Sequence, residues 1–230
     1  MKRFGIILII LLCILFGGFL LYQRKKSKFK VNPAPRKPTD IKLKEIATQI
    51  KGTSTTPIYI LNNFLSETEC NNIIAELQSK LSPSSLTRTD PNDPYFRTSS
   101  TGVFTNTKYQ RDIDKKMSDI IVAEKNEKPQ IQHYDISQQF KPHWDAFDPK
   151  YDKEYYDRGQ RSWTFLIYLN DVDEGGETFF PNLFETITPQ MGRAVIWYNL
   201  DKNGDLDRDT LHEGKPIIRG EKYIITKWFN

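Results

Sequence analysis

The chain has 230 residues, 38% of them hydrophobic and 27% charged, which excludes both a disordered polypeptide and an array of large domains. Its formal charge of +4 is uneven: residues 1–30 hold seven basic side chains and no acid, leaving 26 basic against 29 acidic residues, a net of −3, on the rest. A nucleic-acid-binding domain carries its positive charge on the folded part, so that class is excluded as well.

Phe4 to Tyr22 is a run of 19 residues without a charge. At about 1.5 Å per residue it spans roughly 28 Å, close to the hydrocarbon core of a bilayer. A cleaved signal peptide is the alternative, but this run is longer and closes on bulky Phe19, Leu20, Leu21 and Tyr22. An N-terminal transmembrane anchor over residues 1–22 is expected. Five basic residues follow it within eight positions, and that count places the folded part in the cytosol. Cys13 lies in the apolar run, so Cys70 has no partner for a disulfide in the soluble part, and the compartment stays open.

Residues 23–40, basic and then spaced by Pro33, Pro35 and Pro38, read as an extended stalk. Leu43, Ile46 and Ile50 predict a short helix over 41–51, so residues 23–56 form a stalk with a helix. A stronger helix is expected over 66–81, with Ser66 and Glu69 as a capping box and Ile73, Ile74 and Leu77 on one face with Cys70. Residues 82–94 read as a polar loop able to move over a site, and a further helix is expected over 110–124. From about 131 the pattern changes to short strands, at 131–136, 163–169, 176–180, 192–198 and 221–229. Helices first and strands after make residues 57–230 an α+β domain with a closed or sandwiched sheet.

The chain has three histidines, at 133, 143 and 212. His143-Trp144-Asp145 is a His-x-Asp that on a strand projects both ligands from one face, about 6.6 Å apart. His212 is available as a third ligand, and two imidazoles with one carboxylate leave one side of a ferrous ion open. Alone the His-x-Asp pattern is weak. In the last strand, Lys222, Ile224, Thr226 and Trp228 share a face that reads as buried, so Lys222 either meets an anion there or reaches solvent from an edge. His133 falls on the opposite face from Tyr134 and reads as structural.

Several longer segments carry a resemblance: PHWD (142–145), GQRSWTFLIYLNDVDEGGETFFP (159–181), GRAVIWYNL (192–200), LHEG (211–214) and IIRGEKYIITKW (217–228). Together they resemble the catalytic domain of prolyl 4-hydroxylases, which are iron(II)- and 2-oxoglutarate-dependent dioxygenases. RTSS (97–100) and LSETEC (65–70) extend the resemblance through the helical part. It implies a double-stranded β-helix (jelly-roll) core with N-terminal supporting helices. It makes His143, Asp145 and His212 the iron ligands and Lys222 the partner of the distal carboxylate of 2-oxoglutarate. Tyr134 and Thr164 add hydroxyl contacts to that cosubstrate, and Arg161 and Trp228 contact the peptide. The implied reaction is 4-hydroxylation of peptidyl proline with dioxygen, coupled to decarboxylation of 2-oxoglutarate to succinate and carbon dioxide, with ascorbate as reductant. Relatives with an anchor suggest a luminal, endoplasmic-reticulum-type placement, against the flanking charge.

Two positions depart from the family pattern. Phe140 stands where relatives commonly have Tyr, whose phenol the resemblance sets against the substrate peptide, and Asn230 stands where many have His; on the extrapolated alternation Asn230 shares the Lys222/Trp228 face and so touches substrate as well. These changes affect peptide preference and leave the ligand positions intact. The alternatives are a hydroxylase of another side chain and a catalytically silent, membrane-tethered peptide-binding domain. A zinc hydrolase is disfavoured because no His-Glu-x-x-His occurs.

Overall fold

The computed structural model describes residues 36–77, 81–84, 96–102, 104, 107–123, 125–152 and 154–230. The uncharged run Phe4–Tyr22, the first part of the stalk and residues 85–94 of the predicted mobile loop lie outside them. Among the described residues no helix is long and apolar enough to cross a membrane.

The first elements are helix α1 (Arg36–Ile46) and strands β1 (Gln49–Gly52) and β2 (Pro57–Leu61). The helix expected at 41–51 therefore begins earlier and gives way to a strand. Ile50 pairs with Tyr59 across β1 and β2, so the Leu43, Ile46, Ile50 stripe is broken and only Leu43 is buried. Helix α1 is attached to the folded body: Tyr59 Oη donates to Asp40 Oδ1 at 2.9 Å, and Val122 N–H donates to Thr39 Oγ1 at 3.1 Å.

Helix α2 (Glu67–Leu77) begins as the capping box requires. The Glu69 N–H donates to Ser66 Oγ at 3.3 Å, and the Ser66 N–H donates to Glu69 Oε2 at 2.9 Å. Two orphan donors of the first turn are satisfied reciprocally. Cys70, Ile73 and Leu77 are buried, and burial pushes the Cys70 thiol up to about 11, as for an inert core cysteine. Ser66→Ala is expected to lower stability by about 1 kcal/mol. An unchanged urea midpoint would contradict the cap.

Strands β3 (Ser82–Pro83) and β4 (Ser100–Gly102) precede helix α3 (Thr107–Ser118), the helix expected at 110–124. Then follow β5 (Gln130–Tyr134), β6 (Phe140–His143), the short helix α4 (Glu154–Arg158) and β7 (Trp163–Tyr168). The remaining strands are β8 (Glu174–Gly175), β9 (Thr178–Phe180), β10 (Glu185–Ile187), β11 (Ala194–Tyr198), β12 (His212–Gly214), β13 (Ile217–Arg219) and β14 (Lys222–Phe229).

The strands form an eight-stranded sheet in the order β1-β2-β11-β7-β14-β5-β4-β3, a four-stranded sheet β10-β9-β12-β6 and a small pair β13-β8. Alternation sorts the side chains of the large sheet. Phe165, Ile167, Ile196, Ile225 and Phe229 face one side and pack with Cys70, Ile73, Leu77, Ile113 and Met117 of α2 and α3. Leu166, Tyr168, Val195, Trp197 and Ile224 face the other and pack with Phe180 and Ile187 of the four-stranded sheet. Each fully buried isoleucine or leucine contributes roughly 1.5–3 kcal/mol. Lys227 is the exception on the helix side, 1% exposed, and its ammonium donates to Asp114 Oδ1 of α3 at 2.7 Å. A mixed α/β body with a sheet-rich core results, and the site lies on the inner face between the sheets.

Candidate active site

Strands β6 and β12 are neighbours in the four-stranded sheet, and their register sets His212 opposite His143. The ring centroids are 4.3 Å apart. Strand β6 ends at His143, and Asp145 follows in a bend rather than on the strand, turned back toward both rings. His143 Nε2 is 3.9 Å from Asp145 Oδ1, and His212 Nε2 is 3.6 Å from Asp145 Oδ2.

The tautomers follow from the outer contacts. His143 Nδ1 lies 2.8 Å from the Lys141 carbonyl, and His212 Nδ1 lies 2.9 Å from the Thr210 carbonyl. A carbonyl only accepts, so each Nδ1 is the N–H donor and each Nε2 lone pair is free. Both lone pairs share their space with one carboxylate, and the three donor atoms lie within 4.8 Å of one another. Ligands about 2.1 Å from one ion sit roughly 3 Å apart, so the two imidazole–carboxylate gaps of 3.9 and 3.6 Å close by less than about 1 Å to grip it. The residues therefore fit a divalent iron ion.

Burial and then the neighbouring His212 push His143 down to about 3, which keeps the ring neutral. Burial alone would raise the Asp145 carboxyl. The His212 and His143 rings, Arg161 and a hydrogen bond from Thr164 outweigh it and hold Asp145 below the usual carboxylate range. Phe140 stacks on His143 at 3.5 Å and 17°, and Trp197 packs edge-on to His212 at 4.9 Å. Phe140 thus braces the His143 ring.

A narrow cavity of about 50 Å³ runs inward from the trio and is lined by Tyr134, Thr178 and Lys222 among others. Lys222 is 2% exposed and stands at the inner end. Its ammonium donates to the Gly176 carbonyl at 2.9 Å and sits 4.4 Å from the Tyr134 ring centroid. Gly176 presents that carbonyl from φ +72, a conformation that disfavours any side chain. A Cβ on Gly214 would come within 3.5 Å of the Lys222 ammonium, so a glycine there keeps the inner end open. Burial pushes Lys222 down to about 7, partly opposed by Glu177. A buried ammonium with one neutral acceptor and an aromatic face suits a carboxylate ligand. Tyr134 lies opposite Lys222 in the β5–β14 register, and burial raises its phenol although Arg97 and Ser99 hydrogen-bond to it.

Thr164 is not at the inner end. Its hydroxyl donates to Asp145 Oδ2 at 2.7 Å, because the β7–β14 register places it opposite Trp228 rather than near Lys222. The threonines lining the narrow cavity are Thr178, whose hydroxyl is 2.6 Å from Tyr168 Oη, and Thr226, whose hydroxyl donates to Gln132 Oε1 at 3.0 Å.

Outward, the narrow cavity shares Arg97, Phe140, His143, Asp145 and Trp228 with a cleft of about 810 Å³. Arg161 lines this cleft, clamped by Glu127 through Nε–Oε1 at 2.6 Å and Nη2–Oε2 at 3.0 Å. Its guanidinium lies 3.7 Å from the Trp228 ring and 4.5 Å from the Phe147 ring. Asp148, Tyr151, Asp152 and Glu154 of the charged insert also line the cleft.

Asn230 is not among its lining residues. The strand ends at Phe229, the Asn230 backbone pairs with Lys125, and the side-chain amide donates to the Arg158 carbonyl at 3.0 Å. His133 sits away from the cavity, stacked on Tyr223 and 2.9 Å from Glu221 Oε2. Four residues with no assigned site role in the sequence reading belong to the site or support it: Arg97, Glu127, Thr178 and Asn199. Their partners are 34 or more residues away in several cases, as Glu127 is from Arg161, and no local spacing marks them.

The profile of the 2OG-Fe(II) oxygenase superfamily matches residues 129–230. Probable prolyl 4-hydroxylase 3 of Arabidopsis thaliana is 33% identical over 199 residues, covering 75% of this chain and 68% of that protein. Probable prolyl 4-hydroxylase 6 of the same plant is 35% identical over 214 residues, covering 80% and 72%. Among solved structures, the viral collagen prolyl hydroxylase of Paramecium Bursaria Chlorella virus-1, in its 2OG complex, is 26% identical with a TM-score of 0.55, covering 74% of this chain and 94% of that one.

Proposed function

The chain belongs to the prolyl 4-hydroxylases of the 2OG-Fe(II) oxygenase superfamily, and from that premise we propose that it hydroxylates peptidyl proline at the His143, Asp145 and His212 trio. The observation that carries this reading is the convergence of two free imidazole nitrogens and a carboxylate at the neck of a cavity ending on Lys222. Bound iron(II) and 2-oxoglutarate supply the oxidising chemistry, in which the keto acid becomes succinate and carbon dioxide as one oxygen of dioxygen enters a proline C–H bond.

The chain's own residues hold, orient and shield. His143, Asp145 and His212 grip the metal, and the Lys141 and Thr210 carbonyls fix the two rings. Lys222 pairs with the distal carboxylate of the cosubstrate, with Tyr134 and Thr178 beside it. The two facing sheets support assignment as a double-stranded β-helix, which keeps this cavity closed at its inner end. At the outer end the aromatic walls Phe140, Phe147, Tyr151 and Trp228 suit an extended, proline-bearing peptide. Phe140 offers no phenol to that peptide. The uncharged run Phe4–Tyr22 supports a membrane tether for this domain, and ascorbate is the reductant that keeps the iron ferrous.

The test is turnover of the purified protein with ferrous iron, ascorbate, 2-oxoglutarate and proline-rich peptides. Succinate should form in step with one added oxygen per hydroxylated proline. Succinate with oxygen on another side chain would move the substrate assignment, and peptide binding without succinate would favour the silent reading.

Cosubstrate binding should also depend on pH. Lys222 sits below its ordinary value, at about 7 before a carboxylate arrives, so it is charged below that pH and neutral above. The carboxylate favours the charged form, so above pH 7 binding takes up a proton. Affinity should fall by up to about tenfold per pH unit from 7 to 9. Calorimetry of 2-oxoglutarate binding with Mn²⁺ in place of iron reads this directly, and a flat profile would contradict the role of Lys222.

A further inference from the structure

The two oxygens of Asp145 are not equivalent. Oδ2 accepts the Thr164 hydroxyl at 2.7 Å, and Thr164 Oγ1 in turn accepts the Asn199 amide Nδ2 at 2.8 Å. A hydroxyl has one hydrogen, so Asn199 donating into it directs that hydrogen onto the carboxylate. Turned over, the amide would present its oxygen to Thr164 and compete with Asp145 for the same hydrogen.

The chain of bonds is rigid and dry. Thr164 and Asn199 are both fully buried and Asp145 is 6% exposed. Thr164 is held between Trp197 of β11 and Trp228 of β14 by the sheet register. Asn199 is pinned by its backbone, its N–H donating to the Ser162 carbonyl at 2.8 Å and its carbonyl accepting from Asp207 N–H at 2.9 Å. Its own Oδ1 is buried without a hydrogen-bond partner. An apolar side chain of the same shape would avoid that desolvation, so the amide's contribution is its single bond to Thr164.

We propose that Asn199 and Thr164 are positioning residues that fix the Asp145 carboxylate through Oδ2, so that it offers iron one oxygen rather than two. This rests on the reading of the trio as iron ligands. Three protein donors on a six-coordinate ion leave three positions for the cosubstrates. A carboxylate released to bind through both oxygens takes one of these and competes with the two-point hold of a 2-oxo acid. Thr164 and Asn199 therefore act on cosubstrate binding through Asp145, without touching the cosubstrate.

The test compares the wild-type protein with Thr164→Val, Thr164→Ser and Asn199→Leu. The readouts are taken without oxygen: Mn²⁺ affinity, 2-oxoglutarate affinity, and the visible charge-transfer band of the Fe(II)–keto acid chelate. Thr164→Val and Asn199→Leu should keep metal affinity within a few-fold while losing the band and weakening 2-oxoglutarate by about 10–100-fold. Thr164→Ser, which keeps the hydroxyl, should restore both. Band and keto-acid affinity unchanged in Thr164→Val or Asn199→Leu would overturn the proposal, as would equal losses of metal and keto acid in both variants. A wild-type protein that binds no metal at His143, Asp145 and His212 would instead overturn the reading of the trio. Asn199→Leu provides the same comparison if Thr164→Val does not fold.

Discussion

Asp145→Ala is expected to remove turnover, with kcat/KM falling by more than the roughly 100-fold that loss of a supporting contact costs. The carboxylate is the single anion among the three donors, and burial already pushes the neighbouring His143 down to about 3. Without it a divalent ion faces two nitrogen donors on adjacent strands and no compensating charge. The Thr164 hydroxyl also loses its acceptor. His143→Ala and His212→Ala should fail in the same way, each by losing one Nε2. Metal content by mass spectrometry, with circular dichroism as the control for folding, separates loss of iron from loss of structure. Substantial succinate formation by folded Asp145→Ala would sink the assignment of the site.

Lys222→Ala should leave iron in place and remove the keto acid. Truncating one partner of a buried, hydrogen-bonded charge pair costs about 3–5 kcal/mol, or roughly two to three and a half orders of magnitude in affinity. The expected signature is a raised KM for 2-oxoglutarate at unchanged Mn²⁺ affinity, which Asp145→Ala does not show. Before the anion arrives, however, this amine is a liability. It is 2% exposed, and burial holds it near 7 rather than at its ordinary value. Lys222→Met should therefore match or exceed the thermal stability of the wild-type protein without cosubstrate, while binding 2-oxoglutarate as poorly as the alanine variant. A cosubstrate KM unchanged in Lys222→Ala would remove the lysine from the site.

Much of this site is visible in the one-dimensional pattern because its parts are periodic. The alternation of β14 puts Lys222 and Trp228 on one face, and the same rule sends His133 away to Glu221. What alternation cannot supply is depth along a strand. Thr164 shares the inner face with Leu166 and Tyr168, but its register opposite Trp228 sets it beside Asp145, while Thr178 lines the narrow cavity. Asn230 shows the limit at a strand end. Extrapolation carries it toward the peptide, yet its backbone leaves the ladder with β7 to pair with Lys125. The helix expected over 41–51 failed for a related reason. Ile50 fits a helical stripe as well as a strand, and the pairing with Tyr59 decided between them. Glu127 and Asn199 had no local signature, since each matters through a partner that only the folded chain brings near.

One strand, β14, carries both Lys222 at the inner end and Trp228 at the outer wall. Six residues at about 3.3 Å each fix these two points roughly 20 Å apart. On the proposed function the strand serves as a ruler between the place where the small acid is held and the place where the protein target lies. Loops around the mouth can change to suit new targets without recalibrating it. Inserting or deleting one residue within it, by contrast, would turn one of the two points to the wrong side of the sheet.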